Sequence, residues 1–137
     1  MSLKPRTRKV ILKNNETKTI GASQTDVQIS EDFAVFYGLR LRIDIRVSSL
    51  THATGVTFKL QTSPGTNSLG TPIWKDVKSI SSTASISSDD FLTLTINPEV
   101  AGDVAALPLG LVCRLLCSTG AGESVTITQI SCTEHSG

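Results

Sequence analysis

Leu39-Arg40-Leu41-Arg42-Ile43-Asp44-Ile45-Arg46-Val47 places an aliphatic residue at every odd position and a charged one at every even position. Successive side chains on a strand point to opposite faces, so this run is a half-buried β-strand with one apolar and one ionic face. A helix, with its period near 3.6, would mix the two sets around its circumference. The strand predicts that Leu41, Ile43, Ile45 and Val47 line a core. Arg40, Arg42, Asp44 and Arg46 would then stand about 7 Å apart along an outer surface.

The same alternation recurs on either side. Val56, Phe58 and Leu60 oppose Thr57, Lys59 and Gln61, and Leu92, Leu94 and Ile96 share one face of residues 91–96. Shorter apolar runs at 10–12, 17–20, 26–29 and 73–80 read as further strands. Residues 110–117 and 124–132 read as a closing hairpin around Gly120 and Gly122, with Cys113 opposite Thr128 and Cys132 opposite Leu109. Pro98 ends a strand because it donates no ladder hydrogen bond, and residues 99–106 are the one helical candidate. Strands spaced 10–15 residues apart without an internal repeat predict an all-β, antiparallel β-sandwich of jelly-roll or Greek-key type. It would have about eight strands and little or no helix.

The chain has 137 residues, 39% of them apolar and 4% aromatic, so its core is aliphatic and large enough to need no staples. The net charge of +1 conceals an asymmetry. Residues 1–18 carry six basic side chains against Glu16, a local charge of +5 that leaves −4 on the remainder. The expected organisation is a basic N-terminal arm over residues 1–9 and a single sandwich domain over 10–137. Such an arm either meets acidic surface on a partner or is a solvated terminus. No apolar run follows the basic start as in a signal peptide, and none approaches the roughly 20 residues needed to span a bilayer. The expectation is a soluble protein made in a cytosol, with no membrane partner.

Chemistry is harder to find. Cys113, Cys117, Cys132 and His135 imitate a zinc pattern. On one strand, however, Cys113 and Cys117 would lie about 13 Å apart, too far for two ligands each about 2.3 Å from one ion. Buried reduced thiols are the expectation. Asp89 and Asp90 are adjacent and would point apart on a strand, His52 and His135 neighbour no nucleophile motif, and no glycine-rich loop opens a helix. The reading is a non-enzyme with no catalytic residue, no cofactor and no metal.

Gripping surfaces remain. Arg40, Arg42 and Arg46 suit bidentate contacts with carboxylates on another subunit, or simply solvate an outer face. Residues 63–72, Ser-Pro-Gly-Thr-Asn-Ser-Leu-Gly-Thr-Pro, are long for a hairpin tip, and loops of that length are functional or mobile. Candidate partner-binding residues are therefore Lys4, Arg6, Arg8 and Lys9 of the arm, Arg40, Arg42 and Arg46 of the strand, and Pro64, Asn67 and Leu69 of the loop. Nucleic acid is disfavoured as a partner because no aromatics interleave the basic residues. Arg114, within a greasy strand, needs a polar partner or a route to solvent. Trp74 reads as core or subunit-contact packing rather than a sugar platform.

Several stretches taken together resemble the small jelly-roll cement (decoration) proteins of tailed-bacteriophage capsids. They are the 39–47 strand, Gly55-Val56-Thr57-Phe58-Lys59-Leu60-Gln61-Thr62-Ser63, Trp74-Lys75-Asp76-Val77, and Leu107-Pro108-Leu109-Gly110 leading to Cys113-Arg114. The likeness covers most of residues 20–132 and lies in the order of segments. It implies a virion structural protein on the outer capsid surface, made in the host cytoplasm. Such a protein would bind adjacent major capsid protein subunits, as a homotrimer. It transfers no functional residues. The alternatives are a carbohydrate-binding module, favoured by exposed Trp74 and Tyr37, or a tail or head–tail connector subunit.

Overall fold

A computed structural model describes residues 6–10, 12, 17–35, 40–97 and 112–135. Among the described residues there are nine strands: β1 (Arg6–Val10), β2 (Lys18–Ile20), β3 (Val27–Gln28), β4 (Arg40–Thr51), β5 (Thr57–Thr66), β6 (Pro72–Ser81), β7 (Asp90–Ile96), β8 (Val112–Ser118) and β9 (Ser124–His135). One sheet has the order β1-β9-β4-β7, with β2 following β1 along the same side of β9; the other has the order β3-β8-β5-β6. Every ladder is antiparallel. The pairs nest: β1 and β2 lie on β9, β3 on β8, β4 on β7 and β5 on β6. A chain paired this way is one long hairpin rolled into two facing sheets, which is the jelly roll.

The alternation read from residues 39–47 sets the core. Leu41, Ile43, Ile45 and Val47 are at most 3% exposed, and they share one cluster with Phe58, Leu60 and Leu115 of the opposite sheet. Aliphatic and β-branched side chains fill the space because they pack well on pleated surfaces. The register of β4 on β9 shifts at Arg46/Val47 and Val47/Ser49. Such bulges bend a strand and increase its twist.

Two expectations are corrected. Residues 110–117 and 124–132 do not form a hairpin, because β8 and β9 belong to different sheets. Cys113 lies opposite Thr62, not Thr128, and Cys132 lies opposite Ile43 and Arg8, not Leu109. The link between the two strands finds its partners in residues 21–24 instead. Thr119 N–H donates to Gln24 O (2.8 Å), Ser23 N–H to Gly120 O (3.0 Å) and Thr119 Oγ1 to Gly21 O (2.6 Å). The second correction concerns the arm. Residues 6–9 are not free arm but part of β1, where Arg6 and Arg8 occupy register positions opposite Glu134 and Cys132. The helical candidate at 99–106, Lys4, Tyr37, and the Leu107-Pro108-Leu109-Gly110 run lie outside the described residues.

The antiparallel registers put four inter-sheet links at one end of the sandwich: 21–26, 52–56, 82–89 and 119–123. The β5–β6 hairpin leaves from the opposite end.

Candidate protein-binding surfaces

At the crossing end the 52–56 and 119–123 links are fastened to each other by Glu123, which is 1% exposed. Its Oε2 accepts the Ala53 and Gly55 N–H groups, each at 2.8 Å, and its Oε1 accepts Gly120 N–H at 2.7 Å. The Ala53 N–H holds this carboxyl below its ordinary pKa. Burial opposes that shift, while the Gly55 and Gly120 donors and the nearby His52 reinforce it. Gly120 is required by the close approach: a Cβ there would lie 2.9 Å from Glu123 Oε1 and 3.0 Å from Thr54 Oγ1. Beside it, Ser82 Oγ accepts Val56 N–H (2.9 Å) and sits 2.9 Å from His52 Nδ1. A serine so buried and already accepting a backbone donor is a bracket rather than a nucleophile. Sequence reasoning missed Glu123, since nothing local marks a carboxylate that closes onto residues about 70 positions away.

The charged face of β4 lies within its sheet, between β9 and β7. Its groups are tied along the face. Arg42 Nε meets Asp44 Oδ2 at 2.9 Å, Thr93 Oγ1 donates to Asp44 Oδ1 at 2.6 Å, and Arg46 Nε donates to Thr128 Oγ1 at 2.9 Å. Around them stand threonines paired across strands, Thr7 with Thr133 and Thr19 with Thr126. Arg40 and Arg42 border a shallow cleft with Thr95, Ile96 and Asn97. The structure therefore gathers the three β4 arginines on one open face without converging them on a point. Lys9 is exposed on β1, the adjacent side of β9.

On the outer face of the second sheet a polar chain runs across three strands. Lys59 reaches Asp26 (3.4 Å) and Asp76 (3.7 Å), Gln61 Nε2 donates to Asp76 Oδ1 (2.7 Å), and Arg114 Nε donates to Gln61 Oε1 (2.9 Å). The Arg114 guanidinium then lies 4.1 Å from the centroid of the Trp74 ring, which is a cation–π contact. Arg114 thus has the polar partner its sequence position demanded. Trp74 is half-buried with one ring face taken by that guanidinium, so it is not an open stacking platform.

The hairpin end differs in kind. Residues 64–73 are ten consecutive exposed positions, and residues 63–73 contain no charge. Its tip is held by Asn67, whose Oδ1 accepts the Leu69 (2.8 Å) and Thr71 (3.1 Å) N–H groups and whose own N–H donates to Thr71 O (2.8 Å). Gly70 takes φ +82°, a conformation that glycine adopts without strain. Leu69 is left 89% exposed. At the base of the hairpin, Asp32, Ser63, Pro64, Pro72, Trp74 and Val112 border a groove of about 260 Å³. The long 63–72 loop expected from sequence is thus half strand, residues 63–66 and 72, with a turn over 67–71, and Pro64, Asn67 and Leu69 all belong to this one structure.

The three cysteines are buried free thiols, Cys113 and Cys117 on β8 and Cys132 on β9 of the other sheet. Burial, then the charge of Glu123, pushes the Cys117 thiol up to about 12. Among the described residues no group of three or more metal-ligating side chains is gathered.

No protein-family model matches the chain, and no curated protein matches it in sequence. Among solved structures it is similar to the T13 viral particle of infectious bursal disease virus, with TM-score 0.49 and 13% identity over 98% of this chain and 32% of that one. It is also similar to the VP2 subviral particle of the same virus, with TM-score 0.49 and 14% identity over 99% of this chain and 34% of that one. A third is the Gt strain of that virus, with TM-score 0.46 and 14% identity over 99% and 33%. The chain spans about a third of the length of those chains.

Proposed function

We propose that this chain is a virion structural protein, a cement protein that binds adjacent major capsid protein subunits on the outer surface of a bacteriophage head, acting as a homotrimer. The observation that carries the reading is the pairing of a two-sheet sandwich with a hairpin whose tip, residues 63–73, carries no charge and leaves Leu69 89% exposed on a hydrogen-bonded turn. Exposed large apolar side chains on a preorganised turn are what protein contacts use, because little conformational freedom is lost when they are covered. The titratable groups support the same reading. Glu123 is consumed in holding backbone donors, His52 in bracketing Ser82, and Asp44 in fixing Arg42. The open arginine face of β4 offers a second contact for carboxylates on a coat subunit.

The test is attachment to purified expanded heads, read as copies bound per head by sedimentation and electron cryo-microscopy. Saturable binding at sites between coat subunits is the expected result; no binding above background would end the cement reading. Because residues 6–9 belong to β1, only the part of the arm that precedes it is tested by deletion, residues 1–5 with Lys4. That deletion should weaken attachment while leaving the melting temperature unchanged.

A further inference from the structure

The β5–β6 hairpin carries two apolar features that do not meet within one chain. Leu69 stands 89% exposed at its tip, and the groove at its base, walled by Pro64, Pro72 and Trp74, is open. We infer that Leu69 of one copy seats in the Trp74 groove of the next, a head-to-tail contact that closes copies of this chain into a ring. The inference deepens the trimer of the proposed function by naming its contact, and it holds or fails independently of any capsid.

Size permits the fit. Loss of a leucine side chain from a core leaves on the order of 150 Å³, against a groove of about 260 Å³ that also leaves room for the flanking turn. The cost of ordering is low, since Asn67 already fixes the turn through both of its N–H acceptances. No ion is desolvated by the hairpin, because residues 63–73 carry none. The one charged side chain bordering the groove, Asp32, already accepts Gln28 Nε2 at 2.9 Å.

Area then favours a closed ring. A stable interface takes about 800 Å² and about 20–30 residues from each partner. Ten exposed hairpin residues meeting a groove wall supply roughly half of that. A copy within a ring makes the contact twice, once with its tip and once with its groove. A heterologous contact of this kind closes when its rotation divides the circle. A pair joined by one such contact has only half the surface and does not accumulate.

Trp74 is the only tryptophan, so its emission reports the groove directly. Light scattering and sedimentation should give a closed oligomer whose Trp74 emission lies at shorter wavelength than that of the separated chains. Leu69→Asp removes the tip, and Thr66→Arg, at an exposed groove position, blocks the socket. Each should give folded single chains with a red-shifted Trp74 and a melting temperature that, unlike that of the wild type, does not depend on protein concentration. Mixing the two variants should give no closed oligomer, because only one contact survives per pair, Leu69 of the Thr66→Arg chain in the groove of the Leu69→Asp chain, and no ring can close through it. A wild-type chain that stays single from micromolar to millimolar concentration overturns the inference. So does an oligomer that survives Leu69→Asp, or a closed oligomer formed by the mixture. Single chains that need Leu69 only to attach to heads also overturn it and give the tip to a coat subunit, leaving the proposed function standing.

Discussion

At one end of the sandwich two of the four links between the sheets, 52–56 and 119–123, are tied through a carboxylate that is 1% exposed; at the other a hairpin tip with no charge over residues 63–73 holds Leu69 89% exposed. The two ends use polar groups for opposite purposes. Glu123 spends both of its oxygens on backbone N–H groups from three residues, so that the links cannot drift apart. Asn67 spends one oxygen on two N–H groups only to shape a turn whose residues are exposed. A buried acceptor that closes distant links is a fold determinant. A tip whose polar groups are satisfied internally, with an apolar side chain facing water, is a surface prepared for another molecule.

The contrast breaks first at Glu123. Glu123→Ala strands three N–H donors in a buried site, and the melting temperature should fall by on the order of 10 °C, the largest drop among the substitutions named here. Deleting the hairpin tip in favour of a two-residue turn should cost less, removing only the stabilisation that association between copies supplies. An equal fall from both would erase the distinction between the ends.

Acid sharpens the same point. The folded pKa of Glu123 is below its unfolded value, so its stabilisation is fully present above the ordinary carboxyl pKa of about 4.3 and is lost as pH falls through the lower folded value. A wild-type melting curve should therefore decline on acidification below that range, with a flatter decline in Glu123→Gln. That variant already lacks one acceptor oxygen and opposes a donor to a donor. Thiol labelling gives a local readout. Cys117, with its pKa at about 12, should be inert to disulfide reagents at pH 8 in the native protein and should label faster in Glu123→Ala, where the crossing end opens.

Effects shrink toward the exposed surfaces. Asn67→Ala should cost about 1 kcal/mol by denaturant unfolding, the worth of an ordinary hydrogen-bonded turn, yet it should weaken association between copies more than it weakens the fold. Arg42→Ala should shift stability by about 0–1 kcal/mol, because the Arg42 side chain is 59% exposed and its pair with Asp44 is screened by water. A larger fall would mean that the β4 face supports the sheet rather than standing open for a partner.

The strands were legible because each reports its own burial. Leu41, Ile43 and Ile45 alternate with charge wherever β4 is placed, and Phe58 and Leu60 do the same in β5. The hairpin site was legible in part: Pro64, Asn67 and Leu69 were singled out as a loop, but the groove against Trp74 was not, since it needs Asp32 and Val112 brought beside residues 63–74. Residues 6–9 misled because four basic or polar residues look solvated, whereas β9 offers them a ladder of backbone partners. The Gly120 and Gly122 turn misled in the other direction. It has the residues of a hairpin tip and closes on itself from Glu123 N–H to Gly120 O, yet the strands it joins pair in different sheets and Thr119 and Gly120 bond to residues 21–24.

By itself the sequence determined that the chain is built of two-faced strands around an aliphatic core, since period-two alternation is a local steric property of each extended segment. Only the tertiary structure decided which strands pair, that β8 and β9 lie in opposite sheets, and that Glu123 is buried among backbone donors. The physical reason is that backbone N–H and C=O groups are the same at every residue. A strand's own side chains therefore state which face goes inward but not whose backbone it joins.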